Sequence, residues 1–167
     1  MSHVIAEPAF PLPQDTSDSR LPGGPCRRAS APPADMPLDG VSVLLVDDEP
    51  MLTEVVGTYL EQLGCRQVVA LHDPHQALKV IRERRPHVVL LDLTMPGLSG
   101  FEILEALRAD SQLRGTLVVV LSASNDTASR LRALELGATA YLAKPVGQIE
   151  LAAVLRCAVL TVPWRSS

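Results

Sequence analysis

Five polar residues stand directly after short apolar runs. Asp47 and Asp48 follow Val41 to Val46, Asp92 follows Val88 to Leu91, Ser122 follows Leu117 to Leu121, and Lys144 comes just past Ala140 to Leu142. If all five are brought together, three carboxylates face a hydroxyl and an ammonium. Like charges that close raise one another's pKa values unless a cation offsets them. Mg2+ suits the need, because it takes one or two carboxylates, keeps waters and accepts phosphate oxygens in its remaining positions. Lys144 would meet a second anionic oxygen and Ser122 a third. Such a set is complementary to a phosphoryl group carried on Asp92, with the carboxylate as nucleophile and metal and lysine stabilising the charge. Plainer readings stand beside this one. Aspartate is common where strands end, serine is ordinary in loops, and Lys144 with Asp92 would also make a simple ion pair at a sheet edge.

Whether these residues meet depends on the elements that carry them. Val88 to Leu91 is continuously apolar and half β-branched, the pattern of a central parallel strand buried on both faces. Asp47-Asp48-Glu49-Pro50 is an acidic turn with proline placed to open a helix. Along that helix Leu52, Val55, Val56, Tyr59, Leu60 and Leu63 follow the spacing of a buried face, and Gly64 ends it. Val68 to Leu71 reads as the second strand, and Asp73-Pro74 caps a second helix with Ala77, Leu78 and Ile81 inward. A third helix runs from about Gly100 to Ala109 with Ile103, Leu104 and Leu107 inward. Asn125 or Asp126 caps a fourth, which carries Leu131 and Leu134 on its apolar side and ends at Gly137. The fifth strand is Ala140 to Leu142, and the fifth helix sets Leu151, Val154, Leu155, Ala158 and Val159 on one stripe until Pro163. Five strands alternating with five helices predict a doubly wound α/β domain with a five-stranded parallel sheet. In the flavodoxin-like order 2-1-3-4-5, strands 1 and 3 adjoin at the topological switch point, and all five polar residues share the carboxyl edge.

Composition narrows the field. The 167 residues have room for one domain of ordinary size. A net charge of -4 with no lysine and arginine stripe argues against a nucleic-acid surface. The cluster Arg82 to Arg85, interrupted by Glu83, reads as a solvated helix face. Cys26, Cys65 and Cys157 are odd in number and far apart, which fits reduced thiols of a cytoplasmic protein. His72, His75 and His87 have no metal-ligand spacing and read as surface or capping residues. No leader-like or membrane-spanning stretch is present, so no membrane contact is expected. Residues 1–38 hold eight of the 14 prolines, the Gly23-Gly24 pair and no apolar periodicity, so they read as a disordered extension. Within them the Pro8 to Pro11 spacing is a weak docking signal, and Met36 is an alternative start. The domain is expected over 39–162. Residues 163–167 form a short tail, in which Trp164 is either a partner anchor or idle.

At the level of motifs the chain resembles the receiver domains of bacterial two-component response regulators, from about Val41 to Leu160. The landmarks are Leu45-Val46-Asp47-Asp48-Glu49, Leu91-Asp92-Leu93-Thr94-Met95-Pro96-Gly97, Leu121-Ser122-Ala123, and Tyr141 followed by Lys144-Pro145. In this order, each at the end of a successive strand, they form a specific signature. The resemblance implies Asp92 as phosphoacceptor. It implies Mg2+ ligation by Asp48, Asp92 and the backbone carbonyl of Thr94, with Asp47 acting through water. Lys144 would pair with the phosphoryl group, Ser122 would move to hydrogen-bond it, and Tyr141 would turn inward behind it, although an aromatic on an edge strand is also ordinary packing. A cis bond is implied at Lys144-Pro145. The donor would be a sensor histidine kinase or a histidine phosphotransfer protein. With only 22 residues after Pro145, a stand-alone receiver is expected, one that signals by protein contacts of the helix 4, strand 5 and helix 5 face, including a phosphorylation-dependent homodimer. A passive phosphate relay or sink is the alternative output. Apart from assisting its own phosphorylation and dephosphorylation, the chain is expected not to be an enzyme. A phosphatase of the haloacid dehalogenase type would need a second aspartate where Thr94 stands. A flavodoxin-like binding module would need a Gly, Ser or Thr-rich loop in place of Asp47-Asp48-Glu49.

Overall fold

The computed structural model describes residues 38–161. Each apolar run forms a strand and each three-four pattern a helix. The order is β1 (Ser42–Val46), α1 (Pro50–Gln62), β2 (Gln67–Leu71), α2 (Ala77–Arg84), β3 (Val88–Asp92), α3 (Gly100–Ala109), β4 (Leu117–Ser122), α4 (Thr127–Glu135), β5 (Ala140–Ala143) and α5 (Gln148–Leu160), with a 3-10 turn at Pro74–Gln76 leading into α2. The strands are parallel in the order β2-β1-β3-β4-β5. This is the flavodoxin-like arrangement, with β1 and β3 adjacent at the switch point.

Register aligns the strand ends. Val46 lies opposite Leu91, Asp92 opposite Leu121 and Ser122 opposite Ala143. Alternate residues of the central strands face two separate cores. On one face Leu45, Leu90, Val119 and Leu121 pack with Val56 and Leu60 of α1 and Leu151, Leu155 and Val159 of α5. On the other, Leu44, Val46, Val89, Leu91, Val118 and Val120 pack with Ile81 of α2, Ile103, Leu104 and Leu107 of α3, and Ala133 of α4. β3 is buried along its whole length, as a strand covered by helices on both sides must be.

Several assignments from periodicity change. Val55 is 46% exposed, and in α4 Leu131 and Leu134 are 54% and 40% exposed while Ala133 is fully buried. A small residue lets a short helix lie close to the sheet, and that choice of phase turns the two leucines outward. Asp126, not Asn125, caps α4: its carboxylate accepts from the N–H groups of Ala128 and Ser129 at 3.2 and 3.0 Å. Asp73 caps the 3-10 turn by accepting from His75 N–H at 3.0 Å. Leu38, placed by composition at the end of the extension, is a core residue, and its N–H donates to Leu63 O at 3.0 Å. The other expectations for the chain ends, including Cys26, Met36, Pro163 and Trp164, lie outside the described residues.

Candidate functional site

At the carboxyl edge of β1 and β3, two buried carboxylates converge on one ammonium. Lys144 Nζ stands 2.7 Å from Asp47 Oδ2 and 3.2 Å from Asp92 Oδ1. Asp47 is 0% and Asp92 2% exposed. Asp48 is exposed at the mouth, and one oxygen from each of the three aspartates lies within 4.8 Å of the others. Glu49, Pro50, Thr94 and Ala123 complete the lining of the open pocket.

Local structure fixes each group. Asp47 N–H donates to Leu71 O at 3.1 Å, so the end of β1 is tied to β2. Its Oδ1 accepts from Glu49 N–H at 2.9 Å, which turns the chain toward α1, and its carbonyl lies 3.0 Å from His72 Nδ1. Asp92 is the last residue of β3, and Leu93 N–H continues the ladder to Leu121 O at 3.3 Å. The loop after it turns through Gly97 at φ +88°, a conformation open to glycine. Lys144 N–H donates to Ser122 O at 2.8 Å, and the Lys144–Pro145 peptide bond is cis.

The sequence-predicted residues therefore share one edge. Asp47, Asp92 and Lys144 are in direct contact, with Asp48 and Thr94 at the rim. Ser122 is buried at the end of β4, and its Oγ accepts from Ser124 N–H at 3.2 Å. Tyr141 is half-buried, and its hydroxyl donates to Ser124 O at 2.7 Å. Ser122 and Tyr141 thus hold the same loop residue, a junction that sequence spacing alone does not reveal. The N-terminal cap of α3 was also not anticipated, although the run Ser99-Gly100-Phe101-Glu102 has the spacing of a capping box.

Burial pushes the Asp92 carboxyl above its ordinary range, the neighbouring charge of Asp47 adds to this, and Lys144 and a hydrogen bond from the Thr94 N–H oppose it. For Lys144, burial acts to lower the pKa, but the hydrogen bond and charge of Asp47 and the charge of Asp92 outweigh it and raise the value. Three carboxylates against one lysine leave an excess of negative charge. Asp47 Oδ2 and Asp92 Oδ1 are buried with no partner beyond the lysine among the described residues. A hard oxygen donor set with uncompensated charge at a solvent-open mouth fits a hard divalent cation such as Mg2+.

A doubly wound parallel domain with an acidic, lysine-bearing pocket at the switch point defines a flavodoxin-like α/β protein with its site at the carboxyl edge of the sheet. The model of the response regulator receiver domain matches residues 43–156, and the chain belongs to that family. Aspartate phosphorylation, an Mg2+-binding acidic pocket and interaction with histidine kinases are features of the family.

Among curated relatives, the chain is similar to the DNA-binding response regulator MtrA of Mycolicibacterium smegmatis, with 42% identity over 114 residues, covering 68% of this chain and 48% of the relative. It is 34% identical over 125 residues to the probable transcriptional regulator ycf27 of Porphyridium aerugineum, covering 75% and 50%. The chain spans about half the length of the curated relatives it matches. Among solved structures, the chemotaxis response regulator CheY4 of Vibrio cholerae has a TM-score of 0.66 at 29% identity, covering 71% of this chain and 98% of that one. The BeF3-activated receiver domain of RstA from Klebsiella pneumoniae has a TM-score of 0.65 at 28% identity, covering 71% and 97%. Among the described residues no helix is long and apolar enough to cross a membrane.

Proposed function

We propose that this receiver accepts a phosphoryl group on Asp92 from a histidine kinase or histidine phosphotransfer protein. The observation that carries the reading is the convergence of Lys144 on Asp47 and Asp92 in a pocket open at Asp48 and Thr94. In the transfer, an Asp92 carboxylate oxygen forms the new bond to phosphorus as the bond to the donor imidazole nitrogen breaks. The opposing charge of Lys144 keeps Asp92 available as an anion despite its burial and is near enough to pair with a phosphoryl oxygen afterwards. Asp48, Asp92 and the carbonyl of Thr94 would hold Mg2+, with Asp47 acting through water. A divalent ion there offsets the excess carboxylate charge and polarises the phosphoryl oxygens.

Ser122 and Tyr141 are the proposed switch pair. If the Ser122 hydroxyl turns to the phosphoryl group it gives up the Ser124 N–H, and the loop that Tyr141 holds is free to shift. That loop leads into α4, whose exposed Leu131 and Leu134 support an output by protein contact on the α4, β5 and α5 face, with a partner or a second copy. The chain is read as a signalling protein whose only chemistry is on its own Asp92.

The test is incubation of the purified protein with acetyl phosphate and Mg2+, followed by intact-mass measurement beside Asp92→Asn. A single phosphoryl adduct that requires Mg2+ and is missing from the variant supports the reading. An unmodified wild-type protein with an intact fold overturns it. Output is read by comparing self-association with and without beryllofluoride, and identical behaviour of the two states removes the homodimer.

A further inference from the structure

Gly100 opens α3 without a left-handed φ, so the backbone there does not call for glycine. Alanine is intrinsically the better helix former at such a position. A side chain, however, has no room. A Cβ would overlap the carbonyl oxygen of Asp92, and would lie 2.8 Å from Leu93 Cα and 3.0 Å from the Asp92 carbonyl carbon. All three are main-chain atoms, so no rotamer change relieves the overlap. By contrast, a Cβ at Gly57 or Gly115 would meet nothing within 4 Å.

Other contacts hold this close approach in place. Gly100 N–H donates to Leu93 O at 3.2 Å, and Ser99 Oγ donates to the same carbonyl at 3.4 Å. Ser99 Oγ accepts from Phe101 N–H at 3.3 Å, and Glu102 accepts from Ser99 N–H at 2.9 Å, which closes the first turn. On the opposite side Leu93 N–H is fixed to β4. The main chain carrying the Asp92 carboxylate is therefore gripped between β4 and the first residues of α3.

We infer that Gly100 is a positioning residue for Asp92. Seating α3 directly on the Asp92–Leu93 main chain sets where the carboxylate stands relative to Lys144, Asp47 and Asp48. The inference rests on the reading of Asp92 as phosphoacceptor.

It is tested on the full chain by the time course of phosphoryl uptake from acetyl phosphate at a series of Mg2+ concentrations. Calorimetric Mg2+ titration and circular dichroism are run in parallel. Wild type, Asp92→Asn, Gly57→Ala, Gly100→Ala and Ser99→Ala are compared. Gly57→Ala is expected to match wild type. Gly100→Ala is expected to fold, to take up phosphate at least tenfold more slowly and to need severalfold more Mg2+ for half-saturation. Ser99→Ala, which loosens the seat without adding an atom, is expected to slow uptake about threefold. A purely structural role would lower the folded fraction and leave the rate constant and half-saturation of the folded molecules within twofold of wild type. That result overturns the inference. If Gly100→Ala does not fold, Ser99→Ala decides by the same two readouts. An unlabelled wild type sinks the reading of Asp92 and the inference with it, whereas a labelled wild type with unaffected Gly100→Ala and Ser99→Ala sinks the inference alone.

Discussion

At the scale of single residues, burial makes the Asp92 carboxylate costly to hold ionised. Its carboxyl titrates above the ordinary 3.8 because desolvation outweighs the help of Lys144. The folded protein then keeps a proton that the unfolded chain has already released, so stability falls as pH rises from the unfolded value through the folded one. Below both values that cost is absent. Asp92→Asn removes the charge at every pH and keeps the shape. It is expected to melt several degrees higher than wild type at pH 7 without divalent ions, with the gap closing toward pH 4. Paired thermal melts across that range check this, and a gap that is zero at pH 7 or widens on acidification contradicts it.

At the scale of elements, α4 differs from the other helices. Ala133 is its one buried residue, and its side links run to α3: Arg132 lies 4.5 Å from the centre of the Phe101 ring and 3.7 Å from Glu105. Exposed ion pairs of that kind contribute little. A helix with a single small buried residue is the element that the proposed loop shift would displace most easily. Replacing Leu131 and Leu134 together by serine removes no core contact, so stability should change by no more than about 0.5 kcal/mol per site. The same pair of changes is expected to abolish beryllofluoride-dependent association. Urea unfolding and analytical ultracentrifugation separate the two effects, and a variant that unfolds early would place the leucines in the core after all.

At the scale of the whole molecule, a few long-range contacts join elements that the sheet does not. The half-buried Arg108 guanidinium donates to the carbonyls of Arg114 and Thr116 at 3.0 Å and to that of Gly137 at 2.7 Å, so α3 is tied both to the turn before β4 and to the end of α4. Arg108→Met keeps the stem and loses the donors, leaving those carbonyls to water or to nothing. About 2 kcal/mol of stability should be lost, since hydrogen bonds from charged donors are each worth roughly 1.5–3 kcal/mol. Chemical denaturation reads this directly, and an unchanged midpoint would show that water replaces the guanidinium without cost. The core offers a second check. Cys65 is buried and its thiol is pushed up to about 11, so almost no thiolate exists at pH 8. Iodoacetamide is expected to spare Cys65 and modify the exposed Cys157, with peptide mapping as the readout. Alkylation of Cys65 at the rate of Cys157 would mean that the α1 and β2 junction opens readily.

By itself the sequence determined the strands, the helices and the residues at their ends, because those depend on local patterns. Four apolar residues before Asp92, two of them β-branched and followed at once by a turn, favour a short buried strand, and Pro50 or Gly64 marks a helix boundary through backbone sterics alone. Tertiary structure decided which face of an ambiguous helix is buried. Leu131, Ala133 and Leu134 are all apolar, and only the distance at which α4 meets the sheet selects alanine. It also drew Leu38 into the core, joined Ser122 and Tyr141 through the Ser124 backbone, and set Gly100 against the Asp92 carbonyl. These contacts link residues that lie apart in sequence or involve main-chain atoms common to every residue, so no pattern of side-chain types encodes them.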